Sequence, residues 1–238
     1  MGATSGIGLE TAKRCIAAGW RVGAAGRRAE ELERLRELAP QQVVTESIDI
    51  TGEAAPAALE RLIERLGGME IYLHVSGVGS QNPQLDPQIE LHTVRTNVEG
   101  FTRMTTAAYR YFAAHGGGHL AVVSSIAGTR GLGTAAAYSA SKRFQNTYID
   151  SLTQLARMEG LKIRFTDIRP GFVATALLKD GRHYPMLMRS EKVAAGIFRA
   201  LEHRKRRVVI DCRYALLVFF WRLIPQGLWE RLPIRTRA

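Results

Sequence analysis

Tyr138 and Lys142 stand four positions apart in the run Tyr138-Ser139-Ala140-Ser141-Lys142, inside a stretch whose apolar spacing predicts a helix over 136–159. Residues four apart on a helix share one face, so this phenol and this ammonium can reach a common ligand. A cation beside a phenol favours the phenolate. The expectation is therefore a Tyr138 pKa drawn down from its ordinary value of about 10 into a range useful for acid–base work. Ser125 lies thirteen residues upstream, at the end of the apolar run Leu120-Ala121-Val122-Val123. Such a run reads as a covered strand, and ligands of open α/β sheets sit beyond the carboxyl ends of strands.

A second group of residues suits an anion. Gly2-Ala3-Thr4-Ser5-Gly6-Ile7-Gly8 places three glycines at G-x-x-x-G-x-G spacing and runs straight into the helical pattern Leu9-Glu10-Thr11-Ala12. Without Cβ atoms the backbone lets a pyrophosphate approach the helix N-terminus, where free N–H groups and the helix dipole favour negative charge.

These residues need a scaffold, and the chain supplies an alternating one. Helical patterns run over 7–18, 29–38, 53–66, 91–115, 136–159 and 190–203, and short apolar runs over 20–25, 42–48, 69–75, 119–124, 163–168 and 207–210 read as strands covered on both faces. The expected fold is α/β: a Rossmann-type, doubly wound parallel sheet with helices on both faces. Residues 1–212 form one dinucleotide-binding and catalytic domain, and 213–238 a C-terminal hydrophobic helical extension that is not a domain of its own. A glycine loop of this kind follows a strand, yet only Met1 precedes Gly2. A strand needs about five residues, so the sheet is expected to lack its first, central strand in this chain.

GATSGIG, Asn97-Val98-Glu99-Gly100, Ser124-Ser125-Ile126-Ala127-Gly128, YSASK and Pro170-Gly171 resemble, in order and spacing, the short-chain dehydrogenase/reductase family over almost the whole chain. The resemblance implies a nicotinamide cofactor and a Ser–Tyr–Lys–Asn tetrad at Ser125, Tyr138, Lys142 and Asn97. Tyr138 would then protonate a carbonyl oxygen as hydride arrives, and Ser125 would hydrogen-bond that oxygen. Lys142 would bind the nicotinamide ribose and depress the Tyr138 pKa, and Asn97 would hold the water that relays protons to Lys142. The family pattern favours Ser125 over the neighbouring Ser124 as the catalytic serine. Cofactor contacts are implied at Gly2, Thr4, Ser5, Gly6, Ile7, Gly8, Asp49, Ile50, Gly77, Tyr138, Lys142, Pro170, Gly171, Val173 and Thr175. One departure stands out: the family's N-N-A-G appears here as His74-Val75-Ser76-Gly77, where His74 reads as a core residue sooner than as an extra base.

Charge separates the two nicotinamide cofactors. Where a carboxylate would bind an adenosine 2′-hydroxyl, after the apolar run at 20–25, the chain has Gly26 followed by Arg27 and Arg28. Guanidinium groups suit a 2′-phosphate, so NADP(H) is favoured over NAD(H).

Of the net charge of +11, +7 falls between His203 and Ala238. The tail from Arg213 to Pro233 interleaves arginines with Phe219, Phe220, Trp221 and Trp229, and its longest uncharged run, Tyr214 to Trp221, is far short of the roughly twenty residues that span a bilayer. It fits two arrangements: helices lying in a membrane interface with arginines toward anionic headgroups, or an interface with protein, either another subunit or the substrate pocket wall. Leu177, Leu178, Met186, Leu187 and Met188 give the region 176–189 an apolar character that suits either a hydrophobic substrate or ordinary lid packing. Two cysteines, Cys15 and Cys212, cannot build a disulfide framework or a zinc knuckle, no metal site is expected, and the default location is cytoplasmic, with peripheral contact at the inner face of the membrane if the tail meets lipid. No nucleic-acid motif accompanies the basic residues. The leading expectation is an oxidoreductase that interconverts a carbonyl and an alcohol on a small molecule, in a homo-oligomer as the resemblance implies. The competing one is a non-catalytic dinucleotide-binding or membrane-surface protein on the same scaffold.

Overall fold

The computed structural model describes residues 1–178 and 184–234. The centre of the apolar region 176–189 and the last arginines of the tail, Arg235 and Arg237, lie outside the described residues.

In chain order the elements are α1 (Gly6–Ala17), β1 (Val22–Gly26), α2 (Ala29–Glu37), β2 (Val43–Ser47), α3 (Ala55–Leu66), β3 (Ile71–His74), α4 (Pro87–Val94), α5 (Phe101–Ala114), β4 (Gly118–Val123), α6 (Ala136–Met158), β5 (Ile163–Arg169), β6 (Val173–Ala174), β7 (Met188–Arg189), α7 (Ser190–Glu202), β8 (Arg207–Val209), α8 (Cys212–Leu223) and α9 (Gln226–Trp229). The single helix expected over 91–115 is three pieces: α4, a π-helical stretch Arg95–Gly100, and α5. The short parallel pair β6–β7, Val173 opposite Met188, has too few residues to leave a periodic signal.

The parallel strands fall into two sheets, β1–β2 and β3–β4–β5–β8. Met1 to Ala3 run between them. The Met1 amine donates to the Leu73 carbonyl at 2.9 Å, the Met1 carbonyl accepts from Val75 N–H at 2.9 Å, and the N–H groups of Gly2 and Ala3 both donate to the Ala25 carbonyl, at 2.8 and 3.0 Å. Met1 thus makes the backbone bonds of one strand residue. Beside it lies a cleft of about 1060 Å³ walled by Val22, Gly23 and Ala25 on one side and Ile71, Leu73 and Val75 on the other. Among the described residues the first strand in chain order is β1, after the glycine loop and α1.

Alternation along β4 divides the core. Leu120 and Val122 face α3, α5 and α6, packing with Phe101, Met104, Phe112 and Ile149. Ala121 and Val123 face the other way, with Ile168 of β5, toward Val193 and Ile197 of α7 and Tyr214 and Val218 of α8. Helices therefore cover both faces of the larger sheet, which is why its strands read as nearly continuous apolar runs.

Candidate active site

Ser125 follows the carboxyl end of β4 and starts a 3₁₀ turn, Ile126–Thr129, with its Oγ accepting from Ala127 N–H at 3.0 Å. That turn presses on α6 at Gly128, where a Cβ would stand 2.4 Å from Asn146 Oδ1 and 2.8 Å from the Lys142 carbonyl. The close approach sets Ser125 beside the first turns of α6, near enough to the Tyr138 phenol for its hydroxyl to lower the phenol's pKa, while Ser125 Oγ donates to the Pro170 carbonyl at 3.5 Å. Lys142 Nζ lies 5.8 Å from the centre of the Tyr138 ring. Gly79 covers the ring from the other side, leaving no room for a Cβ.

Ser124, the competing serine, is occupied elsewhere. Its Oγ donates to Asp167 Oδ1 at 2.5 Å and accepts from Asn146 Nδ2 at 2.8 Å, and Arg169 Nε closes the same buried network on Asp167 at 2.8 Å. Successive strand residues point to opposite faces, so only one of two adjacent serines can reach Tyr138.

Asn97 sits in the π-helical stretch, an irregularity frequent at functional sites. Its side chain closes a ring with Val78, Oδ1 accepting at 2.9 Å and Nδ2 donating at 2.7 Å, and Gly77 passes so near that a Cβ would stand 3.1 Å from Oδ1 and 3.5 Å from Lys142 Nζ. Between Asn97 and Lys142 stands a residue that sequence reasoning missed. The fully buried Gln145 accepts from Lys142 Nζ at 3.0 Å and donates to the Asn97 main-chain carbonyl at 2.9 Å. The available signal was its place three residues after Lys142, on the same helix face.

Electrostatics correct one expectation. Burial pushes the Tyr138 phenol above its ordinary pKa, while the nearby Ser125 hydroxyl pulls it back; at 5.8 Å Lys142 does not reverse the direction. The ammonium is itself affected by desolvation, which lowers Lys142 to about 8 against a weaker upward pull from Asp167.

The glycine loop is built for close approach. Gly2 and Gly6 have φ of +92° and +51°, and a Cβ on Gly8 would lie 1.9 Å from the Gly2 carbonyl oxygen. Ser5 makes no side-chain cap on α1, so the first N–H groups of that helix stay turned toward a ligand. The cradle therefore fits a dinucleotide pyrophosphate. Arg28 braces it, donating to the Thr4 carbonyl at 2.7 Å and to Thr4 Oγ1 at 3.2 Å, whereas Arg27 is exposed and holds the neighbouring Asp49 carboxyl lowered, a smaller effect than that of Thr51 N–H. Asp49 is exposed and accepts from the Thr51 hydroxyl; Ile50 is buried against Gly100.

The loop after β5 meets both halves. The Pro170 carbonyl accepts from Ile126 N–H at 3.1 Å, Gly171 lies flat under the Tyr214 ring, Val173 is buried, and Thr175 Cγ2 would stand 3.0 Å from a Cβ on Gly6. Ser125, Tyr138, Lys142 and Asn97 are thus brought together, with Thr175 joining them to the glycine loop. His74 is a buried core residue: its Nδ1 pairs with Tyr72 Oη at 2.9 Å, Phe101 packs edge-on against it, and desolvation holds its pKa well below the usual histidine range.

A parallel α/β sheet with a glycine-rich dinucleotide cradle and a Ser–Tyr–Lys group beyond its strand ends defines an oxidoreductase of the nicotinamide-binding class. The short chain dehydrogenase family model matches residues 1–184. The chain is 32% identical over 243 residues to an "uncharacterized oxidoreductase" of Myxococcus xanthus (strain DK1622), covering 99% of this chain and 95% of that one. It is 30% identical over 256 residues to dehydrogenase/reductase SDR family member 7B of Bos taurus, covering 97% and 78%. A crystal structure of a short chain dehydrogenase from Burkholderia cenocepacia J2315 in complex with NADP superposes with a TM-score of 0.83 over 99% of this chain and 96% of that one, at 22% identity. This chain belongs to the short-chain dehydrogenase/reductase family, and it is an oxidoreductase with a Rossmann-type fold.

Proposed function

We propose that this oxidoreductase interconverts a carbonyl and an alcohol with NADP(H), and that Tyr138 is its general acid and base. The observation that carries the reading is the gathering of Ser125, Tyr138 and Lys142 at the carboxyl end of β4, with the buried Lys142 Nζ 5.8 Å from the centre of the Tyr138 ring and the Ser125 hydroxyl near its phenol. When bound, the nicotinamide supplies or accepts the hydride. Ser125 and Tyr138 together hold the substrate oxygen; in reduction Tyr138 gives its proton to that oxygen, and in oxidation it takes the proton back. A phenol raised by burial is matched to the first role, since it stays protonated at neutral pH until the oxygen gains negative charge. Lys142 holds a ribose hydroxyl. Asn97 and Gln145 keep Lys142 in place by the bonds described above, and a water at Asn97 would complete the proton path.

The preference for NADP(H) rests on Arg27 and Arg28 at the end of β1. A hydrophobic substrate is supported by Leu177 and Leu187, both exposed, beside the β6–β7 pair. Homo-oligomerisation belongs to the same reading, with exposed Leu91 and Val94 on α4 and Leu155 and Met158 on α6 as its apolar surface.

The test is NADPH oxidation with a panel of aliphatic and aromatic ketones and aldehydes, run beside Tyr138→Phe. The variant should lose about 10²–10⁴ in kcat while binding NADPH as the wild type does. Equal turnover by the two proteins would remove Tyr138 from the chemistry.

A further inference from the structure

Helix α8 is apolar on two sides. Tyr214 and Val218 are buried against the sheet, and on the opposite side Leu216, Phe219, Phe220 and Leu223 stand 59, 57, 54 and 64% exposed. Their spacing of three, one and three residues makes one continuous stripe about 10 Å long on a helix of twelve residues. Leu228 on α9 is exposed as well. Monomeric proteins seldom leave such a patch bare.

The stripe is bordered by cations in excess of their partners. Among the described residues Arg143 and Arg222 have no carboxylate partner. Arg206 and Arg207 share Asp150, and Lys192 and Arg213 share Asp211. Arg222 lies close enough to Arg169, Arg207 and Arg143 that their charges, added to partial burial, pull its own pKa down.

The helix is not a loose end. The Arg130 guanidinium, five residues beyond Ser125, caps its carboxyl terminus, donating to the carbonyls of Trp221 (3.1 Å), Arg222 (3.1 Å) and Ile224 (2.5 Å). Trp229 Nε1 donates to Gly131 at 2.8 Å, and the Tyr214 hydroxyl accepts from Phe172 N–H at 3.1 Å. The stripe is therefore held outward by a fixed support.

We infer that the outer face of α8, with Leu228 of α9, docks on an anionic lipid bilayer, its four apolar side chains entering the interface and Arg143, Arg207 and Arg222 meeting the headgroups. Charge decides between lipid and a second copy of this chain. A two-fold dimer sets a patch against itself, which would bring the Arg143–Arg207–Arg222 cluster onto its own image. A bilayer of anionic lipid supplies the opposite charge along the whole stripe. Among the described residues no helix is long and apolar enough to cross a membrane, so the contact is one of lying on the surface.

The experiment is co-sedimentation of the whole protein with vesicles of phosphatidylcholine alone and with phosphatidylglycerol added, over a range of NaCl. Binding to the anionic vesicles that weakens with salt is expected. Phe219→Ser with Phe220→Ser should reduce it at least tenfold, and Arg143→Gln with Arg222→Gln by about fivefold per arginine. Circular dichroism and NADPH binding of each variant verify that it is folded; all four side chains are exposed and outside the catalytic group. Failure of the wild type to bind anionic vesicles, or binding unchanged in both folded variants, overturns the proposal. So does a dimer in light scattering that Phe219→Ser/Phe220→Ser converts to monomer, since the stripe would then be covered by protein.

Discussion

Gln145 offers the sharpest test of how the site holds its charge. Replacing it with leucine keeps the bulk but removes the acceptor at 3.0 Å from Lys142 Nζ and the donor to the Asn97 carbonyl. A hydrogen bond to a charged group is worth about 1.5–3 kcal/mol, or roughly one to two pKa units. Lys142, lowered by burial to about 8, should fall to about 6–7 in Gln145→Leu on that arithmetic. If the ammonium form is the one that works, the high-pH limb of kcat/KM moves down by the same interval, and activity at pH 7.5 drops about three- to thirtyfold, while activity at pH 5.5 changes far less. Gln145→Glu pushes the other way, because a carboxylate beside Lys142 favours its charged form and moves the limb upward. The assay is NADPH consumption over pH 5.5–10 with a ketone that the wild type reduces. The same limb in all three proteins would refute the argument, as would Leu and Glu moving it in one direction. A merely structural role for Gln145 would lower kcat at every pH and leave the limb where it stands.

Three further outcomes are expected. Arg27→Ala should weaken NADPH binding about tenfold and leave NADH nearly unchanged, whereas Arg28→Ala should weaken both because Arg28 braces Thr4; parallel fluorescence titrations separate them. Lys142 binds its proton less tightly in the native protein than in the unfolded chain, where its pKa is 10.5. Its burial cost, on the order of 3 kcal/mol, is therefore full below about pH 8 and relieved as pH rises toward 10.5. Urea midpoints should rise over that window in the wild type relative to Lys142→Met, and parallel curves would contradict it. Finally, five alternating Val and Ile residues appended before Met1 should enter the cleft between β1 and β3 and raise Tm by at least about 5 °C, since they also replace a buried amine whose pKa is pushed to about 5 with an amide. An unchanged Tm would show that the cleft does not accept a strand.

The elements and the meeting of Ser125, Tyr138, Lys142 and Asn97 were legible for a common reason: each rests on local pattern. Continuous apolar runs announced six strands, β1 to β5 and β8, and the four-residue spacing of Tyr138 and Lys142 needed only a helix to become a shared face. What escaped needed three-dimensional context. The break at Arg95–Gly100 arises where Asn97 turns toward Val78, within a sequence whose helical periodicity continues unbroken. Gln145 is a polar residue on a helix, and only its burial, invisible to pattern, makes it a link between Lys142 and Asn97. The Tyr138 pKa was assigned from the one neighbour in sequence, whereas the decisive influence is desolvation by the chain folded over it, Gly79 included. The choice between Ser124 and Ser125, left to a family pattern at the sequence level, has its physical basis in Asp167 and Asn146, which engage the first serine.

The division of the sheet also divides the work of the site. The glycine loop, Arg27 and Arg28 belong with β1 and β2, while Ser125, Tyr138, Lys142 and Asn97 hang from the sheet that contains β3, β4 and β5. The two groups meet through the backbone of Met1 to Ala3, the contact of Gly6 with Thr175, the packing of α1 on α7, with Trp20 against Phe198 at 5.1 Å, and a shared core in which Ala25, Ile48 and Ile50 pack with α3 and α5. A dinucleotide held by both groups would bridge the same gap from above. Its binding energy would then be shared with the joining of the sheets, so any change that fills the cleft should tighten NADPH, and any that widens it should weaken NADPH before it touches the acid–base group. Measuring NADPH affinity in the strand-extended protein tests that linkage directly: a higher Tm with unaltered affinity would mean that the two halves are already fixed relative to one another without the strand.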